Sequence, residues 1–447
     1  MRRLAGLAVT VAAVLAAAPA PASAALPPVK HVFVIVLENE DYATSFAGDS
    51  KAPFLAKTMP PMGALLTDYY GIGHESLDNY IAMISGQGPN PQTQADAPLF
   101  TDFSPGSEGP DGQAMGSGTV YPASVKTIAD QFDDKHVKWR GYMEDMANAP
   151  PGEDRTCRHP QPNQTDPTQS ARKGDQYAAR HNPFVYFHSL IDGPSCHDND
   201  VDFTTMPGEI EHAATTPAFS FITPNLCHDG HDAPCKGSDE PGGLQSINDF
   251  LQKWVPAILG SNGFKDDGML IVTFDEASSD NSACCNERSA NTPNAAGPEP
   301  GDGGGKVGAI VISPFTKPGT VDKTPYNHYS FLRGIEDLFG LRHLGYAGQE
   351  GLEPLGPKVF NQTPKLDLVA KLRKRGRNHV RISVDADRQV TVAFAGVCRG
   401  HARQSSEDGR RNVTLRYRRG GRCKVTVARD GWLSAAKSFK LRAPRRR

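Results

Sequence analysis

The sequence has 447 residues, and its 48 Lys and Arg nearly balance its 50 Asp and Glu, so the formal net charge is only −2. This balance hides an asymmetry, because residues 365–447 contain 24 basic residues and only 6 acidic ones. A length of this order fits one large acidic domain and one smaller basic domain. After the first 24 residues no apolar stretch is long enough to cross a bilayer, which argues against a membrane-spanning chain.

Residues 1–24 have the pattern of a secretory signal peptide. Arg2 and Arg3 precede a run rich in Ala, Val and Leu, and the small residues that follow end at Ala24, where we expect cleavage. The apolar run is shorter than a membrane anchor requires. The sequence therefore predicts a secreted protein, either extracellular or associated with the cell surface.

The cysteine content supports an oxidising compartment. An even number of cysteines, eight, predicts four disulfides in an exported chain, and a metal–thiolate site is the less favoured alternative. Two pairs lie near each other in the sequence or in the same region: Cys227 with Cys235, and Cys398 with Cys423. Because a bond between adjacent cysteines is strained, we expect Cys284 and Cys285 to bond elsewhere.

Short apolar runs alternate with segments of helical pattern over most of the chain. The runs that predict buried strands are 32–37, 218–222, 269–274 and 307–312, and the helical candidates include 242–258 and 329–339. This alternation favours an α/β fold with a mostly parallel sheet.

The C-terminal part of the chain has a different pattern. Residues 379–386, 389–397, 412–420 and 423–431 alternate apolar and polar positions between turn signals, which predicts a small antiparallel β module. We therefore predict a signal peptide over 1–24, a main domain over 25–362 and a basic β-rich module over 363–447. The module's charge suits an anionic cell-surface polymer or lipid headgroups, with a merely solvated module as the alternative. No nucleic-acid-binding motif is present, so we do not expect nucleic acid as a partner.

Polar side chains follow three of the predicted strands. Glu38 and Asn39 follow the first apolar run, Asp275 and Glu276 follow the third, and the His- and Asp-rich segment 223–235 follows the second. Ligands of open α/β sheets bind at the carboxyl ends of the strands. Carboxylates that meet at such an edge repel each other unless a divalent cation lies between them. A solvated turn explains any one of these strand ends alone, but three together favour a metal site.

A serine lies in the stretch YGIGHESLDNYIAMISGQ, residues 70–87. Ser76 is expected in a turn, with a helix from about Asp78. Because a helix N-terminus presents unpaired N–H groups and the positive end of the dipole, a serine there suits phosphate binding. The alternative is that Ser76 only caps the helix.

Taken in order, the segments VLENEDY, GHESLDNYIAMISGQ, TPNLCHDGHD, VTFDE, VGAIVISPF and YNHYSFLRGIEDLFGL resemble the secreted bacterial phosphoesterase family. That family contains acid phosphatases and phospholipase C enzymes and belongs to the alkaline phosphatase superfamily. The resemblance spans roughly residues 29–341. It implies an alkaline phosphatase-like α/β/α sandwich for the main domain, and it leaves the C-terminal module uncovered.

The resemblance also implies roles for particular residues. A divalent metal ion would be held by Glu38, Asn39, Asp275 and Glu276 and would contact the nucleophile Ser76. The further roles that it implies are Asp229 and His231 as metal ligands, His328 as a catalytic residue, and Asn79 and His181 as substrate-binding residues. Oxygen ligands suit Ca²⁺ or Mg²⁺, whereas Zn²⁺ or Mn²⁺ becomes plausible if histidines join the set.

The sequence thus predicts a secreted, metal-dependent hydrolase of phosphate esters that acts through Ser76, with phosphomonoesters favoured. The first motif reads ENEDYAT rather than the ENxSFDH of the phospholipase branch, but a phospholipase C or another phosphodiesterase remains the alternative. A sulfatase is disfavoured, because no Cys-x-Pro-x-Arg segment stands at the nucleophile. From a different class, the rival is a non-catalytic binder of anionic cell-surface polymers.

Overall fold

The computed structural model describes residues 26–109, 112–285 and 303–444. The predicted signal peptide lies outside the described residues. Within them, the strands in chain order are β1 His31–Leu37, β2 Ala64–Leu66, β3 Tyr69–Tyr70, β4 Ser104–Glu108, β5 Ala114–Ser117, β6 Trp139–Met143, β7 Asp200–Asp202, β8 Phe219–Thr223, β9 Gly268–Phe274, β10 Ala309–Ile312, β11 Thr320–Asp322, β12 Tyr326–Asn327, β13 Val369–Arg375, β14 His379–Asp385, β15 Thr391–Gly396, β16 Gly400–Gln404, β17 Arg411–Arg416, β18 Gly421–Ala428 and β19 Ala435–Leu441.

The α-helices of the same residues are α1 Tyr42–Ser45, α2 Ser76–Ser85, α3 Ile128–Asp134, α4 His188–Ile191, α5 Pro194–Asn199, α6 Met206–Glu209, α7 Gly243–Gly260, α8 Asn262–Asp267 and α9 His328–Phe339. Short 3₁₀ turns cover Pro60–Met62, Thr93–Ala95, Met146–Asn148, Ala179–His181, Pro183–Tyr186, Phe203–Thr205 and Gly345–Gly348, and a π turn covers Phe54–Thr58. No helix among the described residues is both long enough and apolar enough to cross a membrane.

The main domain is built on an eight-stranded sheet in the order β11-β2-β10-β9-β1-β8-β6-β7. From β9 to β7 all neighbours are parallel, whereas β10 pairs antiparallel with both β9 and β2. The central strands β1, β8 and β9 are buried almost along their whole length, as parallel strands covered on both faces must be. The predicted α/β fold with a mostly parallel sheet is confirmed.

The parallel pairing fixes where the polar strand ends meet. Leu37 at the end of β1 lies beside Phe274 at the end of β9, and β8 runs parallel on the other side of β1. The backbone pairing continues past the strands, because the Asp275 N–H donates to the Leu37 carbonyl at 2.8 Å and the Glu38 N–H donates to the Asp229 carbonyl at 2.9 Å. Residues far apart in the sequence are thus brought to one edge of the sheet.

Helix α2 lies at the same edge. It begins at Ser76, two residues before the expected start, and every residue from Ser76 to Ser85 is buried. Gly86 ends the helix in the left-handed conformation with φ of 67°, which glycine adopts at little cost. Because α2 packs on α9 and is enclosed on all sides, its first residue is held in a fixed position.

The C-terminal module is a sandwich of two antiparallel sheets, ordered β13-β14-β17 and β16-β15-β18-β19. Its own apolar core includes Val380, Ile382, Val392, Val425 and Val427, all fully buried. The predicted antiparallel β module is confirmed. Strands β13, β16 and β19 were not predicted, because their sequences are dominated by charged and small polar residues and lie largely exposed.

All eight cysteines are paired: Cys157 with Cys196, Cys227 with Cys235, Cys284 with Cys285, and Cys398 with Cys423. The expectation that Cys284 and Cys285 bond elsewhere is wrong. The other six cysteines have partners at Cα distances of 5.0–5.3 Å, so the adjacent pair has only each other.

The module contacts the main domain at the amino ends of the central strands. Arg429 lies 3.0 Å from a carboxylate oxygen of Asp266 and 2.8 Å from one of Asp267, just before β9 begins. The indole N–H of Trp432 donates to the Asp266 carbonyl at 3.2 Å, and the Arg388 guanidinium stacks 4.0 Å from the Trp432 ring centre. These contacts are at the opposite end of the strands from Glu38 and Asp275.

Candidate functional site

Ser76 and Glu38 lie in direct contact at the carboxyl end of β1. The Ser76 hydroxyl donates to Glu38 Oε2 at 2.7 Å, and the Tyr80 hydroxyl donates to Glu38 Oε1 at 2.7 Å. Ser76 and Tyr80 are four residues apart on α2, so they project from the same face of the helix. Glu38 itself is fully buried, and its carboxylate therefore orients the serine hydroxyl without competition from bulk water.

The loop that precedes Ser76 is held by Asn79. The Asn79 side-chain oxygen accepts from the backbone N–H groups of Ile72 at 2.8 Å and Gly73 at 3.3 Å, and its amide donates to the Gly73 carbonyl at 2.9 Å. Glu75, directly before the serine, has φ of 61° and ψ of 161°, a region that non-glycine residues rarely adopt and that costs free energy. Asn79 thus maintains a strained approach to the serine, and its contact with substrate stays a prediction.

His181 lies close to the carboxylates of both Glu38 and Asp229. One potential ligand atom from each of Glu38, His181 and Asp229 lies within 4.8 Å of the other two, and all three side chains are buried. His181 Nδ1 is 3.1 Å from Asp229 Oδ2, and His181 Nε2 is 3.4 Å from Glu38 Oε1. The imidazole stacks on the Tyr80 ring at 5.4 Å. His181, predicted to bind substrate, therefore lies among the predicted metal ligands.

Asp275 completes the group from the neighbouring strand. The backbone N–H of Asn39 donates to Asp275 Oδ1 at 3.2 Å, and the Asn39 side-chain amide donates to Glu38 Oε2 at 3.2 Å. Asn39 has a positive φ of 57°, which asparagine tolerates better than most residues. This backbone turn directs Asn39 between the ends of β1 and β9.

The carboxylates of this group are buried together, and among the described residues His181 is the only basic side chain within ion-pair distance of them. Burial first, and then the neighbouring Asp275 and Asp229, raises the pKa of Glu38 well above its usual value. Burial likewise raises the pKa of Asp229 well above its usual value and that of Asp275 to about 7. In the described part of the chain no Lys or Arg forms an ion pair with Glu38, Asp229 or Asp275. The protein alone therefore does not neutralise their charge.

Two buried polar atoms point to what would neutralise it. Asp275 Oδ2 and His181 Nε2 are inaccessible to solvent, and neither has a hydrogen-bond partner among the described residues. Buried polar groups are almost always satisfied, and a missing ion is one reason for an exception. Carboxylate oxygens with an imidazole nitrogen are a donor set that Ca²⁺, Mg²⁺, Mn²⁺ or Zn²⁺ accepts. The residues present therefore fit a divalent cation.

His328 lies beside this group with both ring nitrogens engaged. Nε2 is 2.6 Å from the Asp275 carbonyl, which can only accept, so Nε2 carries the proton; Nδ1 accepts from the Tyr69 hydroxyl at 3.1 Å. Burial lowers the pKa of His328 to about 4, which keeps the ring neutral. In this arrangement His328 fixes the backbone of Asp275, and its predicted catalytic role stays a prediction.

Glu276 and His231 lie at the rim of the group. Glu276 contacts His74 from the loop before the serine, and burial followed by the charge of Asp275 raises the Glu276 pKa to about 10. His231 Nε2 accepts from Arg180 at 3.0 Å, and its Nδ1 lies 3.0 Å from a carboxylate oxygen of Asp232. Their roles as metal ligands stay predictions, and in this arrangement His231 has no free ring nitrogen.

Two residues of the candidate site, Tyr80 and Arg180, were not identified from the sequence. Tyr80 could have been found, because a position four residues after a helical Ser76 lies on the same face. Arg180 gave no local signal. Its guanidinium is buried between Asp96, at 3.3 Å, and His231, and Asp96 in turn accepts from the Leu77 N–H at 3.0 Å. Arg180 thereby connects the His231 loop to the start of α2.

Comparison with known proteins places these residues in context. The model of the Phosphoesterase family matches residues 49–342, well over half of the chain. The chain is 29% identical over 314 residues to a phosphate-repressible acid phosphatase of Penicillium chrysogenum, which covers 70% of this chain and 59% of that protein. It is 26% identical over 314 residues to an acid phosphatase of Aspergillus niger, with coverages of 70% and 58%. The chain thus spans less than two thirds of the length of these relatives.

A further curated relative is a phosphatidylinositol-3-phosphatase of Mycobacterium tuberculosis, 24% identical over 327 residues, with 73% of this chain and 82% of that protein covered. Among solved structures, a protein of the alkaline phosphatase superfamily from Vibrio parahaemolyticus matches with a TM-score of 0.44 and 13% identity, covering 91% of this chain and 83% of that one. A phosphonate monoester hydrolase from Silicibacter pomeroyi matches with a TM-score of 0.37 and 11% identity, covering 92% and 89%. Likeness at these TM-scores carries no conclusion about activity.

Proposed function

The chain belongs to the phosphoesterase family, and from this premise we propose that it hydrolyses phosphate esters through Ser76 with the help of a divalent cation. The observation that carries the proposal is the contact between the Ser76 hydroxyl and Glu38 Oε2, at 2.7 Å, inside a buried group of carboxylates. A serine whose hydroxyl donates to a buried carboxylate at a helix N-terminus is oriented and electrostatically favoured as a nucleophile.

The chain's own residues position the reacting atoms. The Ser76 hydroxyl donates its hydrogen bond to Glu38, so both lone pairs of Ser76 Oγ remain available to a phosphorus atom. Tyr80 holds the second oxygen of the same carboxylate and prevents it from rotating away. The Leu77 N–H in the first turn of α2 donates to Asp96 Oδ1 at 3.0 Å, so a carboxylate already occupies this end of the helix and no phosphoryl oxygen is placed on it.

Glu38, Asp229, Asp275 and His181 would hold the cation, with Asn39 at the edge of the group. When bound, a divalent cation supplies positive charge that lowers the pKa of a neighbouring hydroxyl and neutralises phosphoryl oxygens. His328 maintains the backbone position of Asp275, and the two hydrogen bonds that Asn79 Oδ1 accepts from the loop backbone maintain the approach to Ser76.

The reaction proceeds in two steps. Ser76 Oγ loses its proton and forms a bond to phosphorus while the bond from phosphorus to the alcohol oxygen breaks, and the leaving alcohol carries away, in net terms, the proton that the serine lost. Water then attacks the phosphoserine, which releases inorganic phosphate and restores the serine hydroxyl. Burial of the group strengthens its electrostatic interactions with the transition state, which is where most of the rate enhancement originates.

Phosphomonoesters are the favoured substrates. The acid phosphatase relatives and the phosphatidylinositol-3-phosphatase are named for the hydrolysis of phosphomonoesters, which supports this choice over diesters. The four disulfides support export to an oxidising compartment, as the sequence of residues 1–24 also suggests. Neither the metal identity nor the number of ions enters the proposal.

The test is hydrolysis of p-nitrophenyl phosphate by the full chain with Mg²⁺, Ca²⁺, Mn²⁺ or Zn²⁺, beside bis-p-nitrophenyl phosphate. We expect metal-dependent turnover that Ser76→Ala lowers by about 10³-fold or more. Ser45→Ala is the matched control, because Ser45 is a buried serine whose hydroxyl has no hydrogen-bond partner among the described residues. Turnover that survives Ser76→Ala would rule out the nucleophile, and faster diester hydrolysis would reverse the substrate preference.

A further inference from the structure

The solvent face of the sheet β13-β14-β17 carries most of its positive charge in one compact grid. The strand register places three cross-strand rows on this face: Lys371–Ser383–Asn412, Arg373–Arg381–Thr414 and Arg375–His379–Arg416. The alternate positions of the strands, such as Val380, Ile382 and Val413, are buried in the core of the sandwich. The nine side chains therefore share the outer face.

The grid contains five permanent cations and no acid, and the one acid in the adjacent row of this face, Asp385, lies 3.7 Å from Arg410. Lys371, Arg373, Arg375 and Arg416 are exposed and Arg381 is half-buried, and none of them forms an ion pair with a described carboxylate. Arg373 lies directly opposite Arg381 in the ladder. Like charges in directly opposed positions destabilise a sheet. A face that keeps them together is therefore better matched to an external anion than to the stability of the module.

The grid presents its cations as a closely spaced array, which suits a linear polymer that carries many negative charges. Neighbouring strands lie about 4.8 Å apart, and alternate residues of one strand lie about 6.8 Å apart. Four of the five cations are arginines, whose planar guanidinium binds two oxygens of one phosphate at once. We propose that this face binds a linear, phosphate-bearing polymer. The choice of phosphate rests on the proposed function, since a phosphoesterase gains from being held where phosphate esters are concentrated.

The other polyanions fit the face less well. Stable attachment to a lipid surface needs an apolar side chain that enters the bilayer beside the charge, and the nine positions contain none. Single-stranded nucleic acid is bound by aromatic side chains that stack on bases, and the nine positions contain no Phe, Tyr or Trp. The next row of the same face adds one exposed apolar side chain, Val369, but it lies directly opposite an acid, Asp385, which disfavours its insertion into a bilayer.

A matched pair of variants tests whether binding depends on this face or only on the net charge of the protein. The face variant combines Arg373→Gln, Arg381→Gln and Arg416→Gln. The control variant combines Lys424→Gln, Lys437→Gln and Arg442→Gln, which removes the same charge from exposed positions in and directly after the other sheet; neither Lys424 nor Lys437 lies opposite a cation in the pairing of β18 with β19. Both variants are the full chain, and both are checked by melting temperature and by hydrolysis of p-nitrophenyl phosphate. Neither set touches the candidate active site, so turnover reports folding and tests the proposed function separately.

Binding to long-chain polyphosphate is measured against salt concentration. For five neutralised phosphates the logarithm of the association constant should fall with the logarithm of salt at a slope of about −3.5, and for the face variant at about −1.4. At low salt the face variant should bind at least about tenfold more weakly than the native chain, and the control variant within about twofold.

Three results would overturn the proposal. The first is an equal loss in the control variant, which would show that only total charge matters. The second is no binding of polyphosphate by the native chain at low salt. The third is tighter binding to vesicles of phosphatidylcholine and phosphatidylglycerol in equal parts, or to a sulfated polysaccharide, than to polyphosphate.

Discussion

The buried acids at the two ends of the central strands differ in whether basic side chains pair with them. At the amino end, Asp266 and Asp267 are both paired with Arg429, and Asp267 also accepts from His31 at 2.7 Å. At the carboxyl end, Glu38, Asp229 and Asp275 are buried more deeply, and in the described part of the chain the only basic side chain within ion-pair distance is His181. Acidic residues meet at both edges of the sheet, but only at the amino end do Arg or Lys side chains of the described chain neutralise their charge.

This difference supports our proposal that the carboxyl end of the strands is the functional end and the amino end is structural. A buried carboxylate paired with arginine is satisfied by the chain itself and joins the two domains. Buried carboxylates that only repel each other cost folding free energy unless a ligand offsets the repulsion. The carboxyl end is therefore organised around something that the chain does not supply.

The largest expected effect comes from exchanging one acid at each end for its amide. Asp229→Asn should lower turnover of p-nitrophenyl phosphate by about 10³-fold, because a charge that favours the cation is lost. In the presence of a chelator the same variant should be more stable than the native chain, because a repelling charge has been removed from a buried group.

Asp267→Asn is the counterpart at the amino end. It should leave turnover unchanged and lower the free energy of unfolding by about 1–3 kcal/mol, because Arg429 and His31 lose a charged partner. Turnover and chelator-treated stability are measured for both variants side by side. If the two variants changed stability in the same direction, the contrast between the ends would be wrong.

Removing the cation of the amino end should uncouple the domains without harming the site. Arg429→Gln leaves Asp266 and Asp267 buried beside each other, which should cost about 3 kcal/mol. Chemical denaturation followed by far-ultraviolet circular dichroism measures this loss, while hydrolysis of p-nitrophenyl phosphate should stay at the native rate. A large loss of turnover would mean that the contacts of Arg429 at the amino end affect the candidate site at the carboxyl end, which would contradict the prediction.

A buried acid in α9 shows how the chain behaves when no described basic residue forms an ion pair with it. Glu336 in α9 is fully buried; burial first and Asp337 second raise its pKa to about 9, against a lowering by the Leu344 N–H. A raised folded pKa means that the native state holds a proton that the unfolded state releases. Stability is therefore full below pH of about 4.5 and declines until about 9.

Glu336→Gln should remove this dependence. Between pH 6 and 8 the native chain should lose about 1.4 kcal/mol of stability per pH unit relative to the variant. The two proteins are compared by denaturation with chelator present at each pH, so that the candidate metal site contributes equally to both. Parallel pH curves would show that Glu336 is ionised in the native state.

Much of the fold was visible in the sequence because it depends on local patterns. The apolar run of β1 and the acids that end it predicted a buried strand leading to a polar edge, and β9 followed the same pattern. Parallel pairing then brought Glu38 and Asp275 together, as expected. The antiparallel placement of β10 was not predicted, since a short apolar run gives no information on strand direction.

The missing parts of the site depend on long-range contacts. Nothing near His181 in the sequence shows that its ring lies between Glu38 and Asp229, which are separated from it by 143 and 48 positions. The spacing within the Asp229–His231 segment does not determine which side chain points inward. The structure turns Asp229 toward the group and pairs His231 with Arg180.

The most direct test of the central claim is the melting temperature of the chelator-treated chain as a divalent cation is added. Mg²⁺, Ca²⁺, Mn²⁺ and Zn²⁺ are titrated separately into the native chain, a Glu38→Gln/Asp229→Asn double variant and the Asp267→Asn control. At a hundredfold excess over the dissociation constant, at least one ion should stabilise the native chain and the control by about 2.7 kcal/mol, and the double variant by almost nothing. An unchanged melting temperature of the native chain with all four ions, or an equal shift in the double variant, would contradict a cation site at the carboxyl end.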